Sequence, residues 1–312
     1  MTAVVHGRGR KKPYLLPAKT HEQIRGAATP RTGDLPQSAV NSILLPQTGG
    51  IGDQGQWGLC TGKTLGESMS YAYVGQTGLS IQLSGMFAYI GGSLLANQFA
   101  GLPNTAPIDA NGAEFMNLVL AAQAQGLCLE SVMPYNPTLL SQKENYMAVL
   151  DAAQRKIRVG EVGAIDGSLN DQGYINALCQ SLLPYPDGKI GATIPIGIAS
   201  SYPDFDNADG TTILVAPPTS VQTDHEVELV DYNTVTAVSS GTVQLDNGRT
   251  FKDPTGTIRV GDRVYRLQNH WSEEWAPQSD IPGTVLVHQS FMIGQRNLGG
   301  DAMVINAEIG GP

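Results

Sequence analysis

The hydrophobic period of this chain changes once, near residue 190, and that change limits the architectures open to it. Upstream, apolar residues recur at helical spacing. Leu65, Met69 and Tyr73 stand four apart, as along one face of a helix over residues 60–74 that Gly75 and Gly78 bring to an end. Residues 79–99 predict a second helix, loosened by Gly91 and Gly92. The run GAEFMNLVLAAQAQ at 112–125 predicts a third, closed by Gly126. Further helices are expected over 141–157 and 172–182. Downstream, ATIPIGIAS at 192–200 reads as a buried strand, while HEVELVDY at 225–232 and VYRLQNHW at 264–271 alternate as strands do. Between these two lies 235–263, with a hairpin VQL-DNG-RTF turning at Asp246–Gly248. Helices first and strands second predict an α+β protein of two subdomains facing each other: a helical half at about 50–190 and a β half at about 191–312 with the hairpin inserted.

Charge divides the chain differently. The formal net charge is −9. Residues 1–34 nevertheless hold seven Lys and Arg against Glu22 and Asp34, a net of +5, and the remainder holds 12 basic against 26 acidic residues, a net of −14. A basic extended arm thus precedes an acidic body. Such an arm suits nucleic acid, a membrane surface, an acidic partner or a larger assembly, and equally a solvated tail. The polar, basic start has no apolar core of the kind a secretory signal carries, which points to a cytoplasmic protein. Gly91, Gly92, Ser93, Asn97 and Gln98 interrupt the most apolar stretch, 85–102, so no membrane span is expected. Three cysteines, Cys60, Cys128 and Cys179, are too few and odd in number for a disulfide framework. They fit a reducing compartment and leave room for a nucleophile.

Cys60 is the thiol best placed to be one. A Gly-rich segment with Gly52, Gly55 and Gly58 leads into it, and a helix begins there. A thiol at a helix N-terminus meets the positive end of the macrodipole and free N–H groups, both of which favour thiolate. The Cys60 N–H and the Gln54 side-chain amide, six residues upstream, are suited to a developing oxyanion. A thiolate needs a base and the base an orienter. Of His6, His21, His225, His270 and His288, only His225 opens an apolar strand. Asn269 ends another strand on the face of Tyr265 and Leu267, and Trp271 follows to shield a His–Asn hydrogen bond from water.

The segment Gln54-Gly55-Gln56-Trp57-Gly58-Leu59-Cys60 resembles the Q-G-x-C-G-S-C motif of the papain-like cysteine peptidases. His225-Glu226-Val227 resembles that family's H-A-V, Asp231-Tyr232-Asn233 its G-Y-G, and Asn269-His270-Trp271-Ser272-Glu273-Glu274-Trp275 its N-S-W-G-x-x-W. Leu35-Pro36, Leu79-Ser80-Ile81-Gln82, Asn111-Gly112-Ala113, and Gly126-Leu127 with Glu130 and Pro134-Tyr135 are similar to further family segments. The matches keep the family's order over roughly residues 35–295. His225 follows Cys60 by 165 residues and Asn269 by 209, more than the roughly 130–150 usual in the family. The inserted hairpin accounts for the longer His–Asn gap.

The resemblance implies a papain-like two-subdomain fold, a helical half and an antiparallel β-barrel-like half with a polypeptide-binding cleft between them. It implies a Cys60-His225-Asn269 triad, Gln54 as oxyanion partner, and Gly58, Gly112 and Trp271 at the substrate. No metal or cofactor is implied. Departures from the pattern are Trp57 in place of a disulfide cysteine, Leu59 and Thr61 around the nucleophile, Ala113 in the substrate loop, Glu226 beside the histidine, and His270, Ser272 and Ala276 around the asparagine. The absence of that bridge and the short arm resemble the prodomain-free members of bacteria and phages. Three readings stay open: an endopeptidase, a hydrolase of isopeptide or cell-wall peptide bonds, and a structural or virion-associated protein that keeps the fold. Other motifs fail. Counting from Asp204, loop position 5 is Ala208, so no EF-hand forms, and His225-Glu226 lacks the second histidine of H-E-x-x-H because residue 229 is Leu.

Overall fold

A computed structural model describes residues 35–103, 105–141, 146, 157–183, 193–217 and 223–309. The basic arm, residues 1–34, and most of the helix expected over 141–157 lie outside the described residues. Among the described residues, three helices build the part of the first half that carries Cys60. Helix α1 (Cys60–Thr77) runs through Gly75 and stops at Gly78, whose φ of 70° is the left-handed cap that glycine adopts without a steric penalty. Helix α2 (Gly85–Phe99) begins later than its periodicity suggests, because Ser84 caps it: the Ser84 hydroxyl accepts the Phe87 N–H at 3.0 Å. Helix α3 (Phe115–Gln125) ends at Gly126 as expected.

Nine strands among the described residues form two sheets. Strands β1 (Ala39–Val40), β3 (Ile194–Ile198), β4 (His225–Ser239), β5 (Thr242–Leu245), β6 (Thr250–Lys252), β7 (Arg263–Gln268) and β8 (Thr284–His288) share one, and β2 (Ile157–Ala164) pairs antiparallel with β9 (Met303–Ile309) in the other. The expected helix over 141–157 therefore cannot include Ile157, which opens β2. Strand β9 crosses back to the helical half, where Met303, Ile305 and Ala307 join Phe87, Leu118 and Val119 in one core. A second core, with Val227, Leu229, Leu267 and Val285, lies between the large sheet and the helices α4 (Asp171–Leu182) and α5 (Gln289–Asn297).

Strand β4 organises the large sheet. It pairs with β7 from Glu228 to Thr234 on one edge, while β3, β1 and β5 follow one another along the other. The β half is an open sheet in the order β6-β5-β4-β7-β8 rather than a closed barrel. The reason is that only isolated bridges, Thr212 to Lys252 and Leu214 to Val287, span the gap between β6 and β8.

Helix α1, which begins at Cys60, is held by a close crossing with α2. A Cβ added to Gly85 would lie 2.8 Å from the Gly62 carbonyl oxygen, and one added to Gly62 would lie 2.5 Å from the Gly85 carbonyl oxygen. Both obstacles are backbone, so neither can rotate away. Gly85→Ala should therefore destabilise the protein by about 1–3 kcal/mol, as overpacking does. Gly167→Ala, whose Cβ would meet only Arg296 Cγ at 3.8 Å, should be near neutral in the same urea titration. Equal midpoints for the two variants would contradict this account of the crossing.

Candidate active site

The loop before α1 is held from three sides. Asp53 Oδ1 accepts the Gly55 N–H at 2.7 Å, closing a turn in which Gly55 has a φ of 59°. The Gln54 N–H donates to the His270 carbonyl at 2.8 Å, and the Tyr135 hydroxyl donates to the Gln54 carbonyl at 2.7 Å. The Gln54 amide donates to the Trp57 carbonyl at 3.0 Å, so the side chain is turned inward and fully buried. The Gly58 N–H reaches the Ala110 carbonyl at 3.0 Å and ties this loop to the one carrying Gly112. Cys60 then opens α1, buried, after Leu59, which offers no side-chain acceptor to the first turn.

Gly112 sits in the second loop with a φ of 135°, a region that favours glycine. Its N–H donates to the Tyr89 hydroxyl at 3.1 Å, and that hydroxyl donates to the Asp109 carbonyl at 2.6 Å. Burial raises the Tyr89 and Tyr135 phenols well above their usual range, with the Cys60 thiol among the neighbours adding to the effect. Both therefore stay neutral donors. Trp57 lies at the surface, 45% exposed.

His225 and Asn269 meet in the other half. His225 Nε2 lies 2.7 Å from Asn269 Oδ1. The same oxygen accepts the His270 backbone N–H at 2.8 Å. A backbone N–H can only donate, so this second bond fixes the orientation of the Asn269 amide. The oxygen facing His225 then requires a proton on Nε2, which leaves Nδ1 as the basic nitrogen. Trp271 stacks on the His225 ring at 5.0 Å and 26°, and Phe205 and Trp275 set their edges against Trp271 at 5.6 and 5.7 Å. His225, Asn269 and Trp271 are all buried, so the His–Asn bond is formed away from water, where it is strongest.

A polar seam joins the two halves beneath these groups, and sequence reasoning did not find it. One turn after Cys60, Thr64 donates to the Glu226 carbonyl at 3.2 Å and meets His270 Nε2 at 2.8 Å. Next along the helix, Glu67 faces His270 Nδ1 at 3.2 Å and accepts from Gln268 at 2.5 Å. Ser68 donates to Glu228 at 2.6 Å, and Tyr71 donates to Gln268 at 2.8 Å. Burial alone would raise the Glu67 carboxyl. The His270 and Lys63 charges and hydrogen bonds from His270 and Gln268 overcome it and hold Glu67 below the usual carboxylate range. Glu228 goes the other way: burial, then the Glu67 charge, pushes it well above its ordinary value. Acids inside a helix and a strand that otherwise read as core were the available signal.

No disulfide joins the three cysteines, and Cys128 and Cys179 lie inside the two cores. Burial pushes the Cys179 thiol up to about 11. Among the described residues no group of three or more His, Cys, Asp or Glu side chains gathers as a metal site, and no helix is long and apolar enough to cross a membrane.

Comparison with known proteins finds no matching family model and no matching curated sequence. Solved structures do match. Xylellain, a cysteine protease from Xylella fastidiosa, aligns over 98% of this chain and 98% of its own at 15% identity and a TM-score of 0.59. Digestive procathepsin L 3 from the larval midgut of Tenebrio molitor aligns over 96% of this chain and 76% of its own, at 15% identity and a TM-score of 0.57. The bromelain protease of Ananas comosus aligns over 87% and 99%, at 12% identity and a TM-score of 0.55. The fold is the papain-like one. At this identity the likeness is one of fold, and the chemistry must be argued from the residues themselves.

Two departures from the papain-like motif are instructive. Ser272 and Ala276 stand where the motif has glycine, and they are the two non-glycine residues of positive φ among those described, at 67° and 51°. The glycine backbone is kept after the glycine is lost, at a cost of roughly 1–2 kcal/mol per residue. Ser272→Gly should therefore stabilise by roughly 0.5–1 kcal/mol, after allowing for the greater freedom of glycine when unfolded. Ala276→Gly should be near neutral, because relief of the backbone is offset by loss of a buried methyl worth about 0.8 kcal/mol. Urea midpoints of both variants check this, and a loss of stability on Ser272→Gly would contradict it.

Proposed function

We propose that this protein is a cysteine peptidase that hydrolyses polypeptide through Cys60, His225 and Asn269, with Gln54 completing the oxyanion site. The observation that carries the reading is the 2.7 Å bond from His225 to Asn269, with the amide fixed by the His270 N–H. It supports a histidine whose Nε2–H is held and whose Nδ1 is available to exchange a proton. Cys60 at the uncapped start of α1 supplies the matching nucleophile.

In this mechanism the Cys60 thiolate attacks the scissile carbonyl carbon. The carbonyl electron pair moves to oxygen, where the Cys60 N–H and the Gln54 amide receive it. Collapse breaks the C–N bond, and His225 gives its Nδ1 proton to the departing amine. His225 then takes a proton from water, whose oxygen attacks the thioester. The carboxylic product leaves and the thiolate and imidazolium are restored. Asn269 keeps the ring oriented throughout, and Trp271 covers its bond. Gly58 and Gly112 bring backbone close to the substrate chain. No step calls on a metal or cofactor.

Cys60 should be the one fast-reacting thiol, since it alone opens a helix N-terminus, where thiolate is favoured, while Cys128 lies in an apolar core and burial pushes the Cys179 thiol up. A limiting dose of iodoacetamide at pH 6, followed by peptide mapping, should label Cys60 well ahead of the other two, and His225→Ala should remove most of that lead. Cys60→Ser should abolish cleavage of denatured protein substrates, and Gln54→Ala should lower kcat by about 10²–10³, as loss of one oxyanion donor does. Equal, slow labelling of all three cysteines would overturn the reading and favour a protein that keeps the fold for its surface.

A further inference from the structure

We propose that His270, held by Glu67 and Thr64, is the positioning residue of this site, the group through which helix α1 sets the placement of both Asn269 and Gln54. The inference rests on the peptidase reading for the roles of those two residues. Its geometry stands independently.

Four contacts converge on His270. Its backbone N–H donates to Asn269 Oδ1 at 2.8 Å, and its carbonyl accepts the Gln54 N–H at 2.8 Å. Its ring Nε2 lies 2.8 Å from the Thr64 hydroxyl, and its ring Nδ1 lies 3.2 Å from the Glu67 carboxylate. The main chain of this one residue thus reaches the triad asparagine and the oxyanion glutamine, while its side chain reaches the helix that begins at Cys60. A backbone pinned at both ends still rotates unless its side chain is fixed. His270 is fully buried, and the partners of its ring are themselves buried on α1.

Hydrogen-bond bookkeeping supports a defined arrangement. The Thr64 hydroxyl lies 3.2 Å from the Glu226 carbonyl and 2.8 Å from ring Nε2, so it bridges the histidine strand and the His270 ring. A bare lone pair on Nδ1 would face the Glu67 carboxylate at 3.2 Å, so Nδ1 is the ring nitrogen placed to donate. Glu67 is the acceptor this requires, and its other oxygen receives the Gly52 N–H at 3.4 Å, in the loop before the nucleophile. Glu67 is the charged group against the ring; it also feels the Lys63 charge and accepts from the neutral Gln268 on β7, and Glu228 on β4 lies next to it in the seam. Where the papain-like motif places a serine, this chain has inserted a ring long enough to span from β7 to α1. A displacement near 1 Å at a catalytic group can cost about 10²-fold in rate, so a group with this reach has kinetic consequences.

The test uses the full chain labelled with ¹⁵N-histidine. The Nε2–H of His225, assigned by its loss in His225→Ala, should give a protected downfield proton signal in the wild type. Thr64→Val and Glu67→Ala should broaden or remove that signal, and should lower kcat about 10–100-fold with KM changed less than about threefold. Glu67→Gln, which keeps an acceptor for Nδ1–H, should retain the signal and most of kcat. Ser68→Ala, which cuts the seam one residue further from the site, should lower the melting temperature while leaving signal and kcat in place. All rates are read well below each variant's melting temperature. If Glu67→Ala fails to fold, Thr64→Val gives the same readout at lower risk. An unchanged His225 signal and unchanged kcat in Thr64→Val and Glu67→Ala would overturn the inference and leave the peptidase reading intact. A wild type without peptidase activity, showing the expected pattern of signals, would remove the peptidase reading and support the positioning role.

Discussion

Helix α1 is buried along nearly its whole length, so the polar groups it carries must find partners across its interfaces. One side, with Leu65 and Met69, belongs to the helical core. Gly62 and Gly66 on another side let α2 approach to backbone contact. The remaining side holds Thr64, Glu67, Ser68 and Tyr71, and each is matched by a group on β4, β7 or the turn after β7. A slip of this helix by one turn would strand several buried polar groups, each at about 1–3 kcal/mol. The seam therefore sets the register of the Cys60 end of α1 against His225 and Asn269 in the other half.

That seam also explains which features were legible in the sequence. Helices α1 and α3 were readable because Gly78 and Gly126 mark their ends chemically, and α2 was legible as a helix while its start at the Ser84 cap was missed. Strands β4 and β7 were readable from alternation. Strand β2 was not: IRVGEVGA carries two glycines and a bulge, and it follows a stretch read as helix. Strand β9 alternates cleanly, Met303, Ile305 and Ala307 facing inward, yet its partner lies nearly the full length of the second half away. At the site, Cys60, His225 and Asn269 stood out as residue types in familiar settings. Thr64, Glu67 and His270 did not, because their meaning depends on a strand lying opposite the helix. His270 reads in sequence as a departure from the motif beside the asparagine, and in the structure its backbone N–H donates to Asn269 Oδ1.

The same region shows how a fold persists while its signature erodes. The papain-like architecture is retained at 12–15% identity to xylellain, procathepsin L 3 and bromelain. Ser272 and Ala276 keep left-handed backbone where glycine is absent. The loops carrying Cys60 and Gly112 are joined by one backbone hydrogen bond, from Gly58 to Ala110, with Trp57 beside it where a bridging cysteine would stand. In each case the geometry near the reacting groups is held by backbone and buried hydrogen bonds, and the side chains around them are free to change.

The central claim is that Cys60 carries acyl groups with the help of His225. Rapid acid quench of the protein with a p-nitrophenyl ester of a blocked dipeptide, followed by intact-mass and peptide-mapping analysis, tests it directly. The account predicts one acyl adduct, on Cys60, formed within a single turnover, absent in Cys60→Ser and slow both to form and to decay in His225→Ala. No adduct on Cys60, or an adduct whose formation and decay ignore the loss of His225, would contradict it.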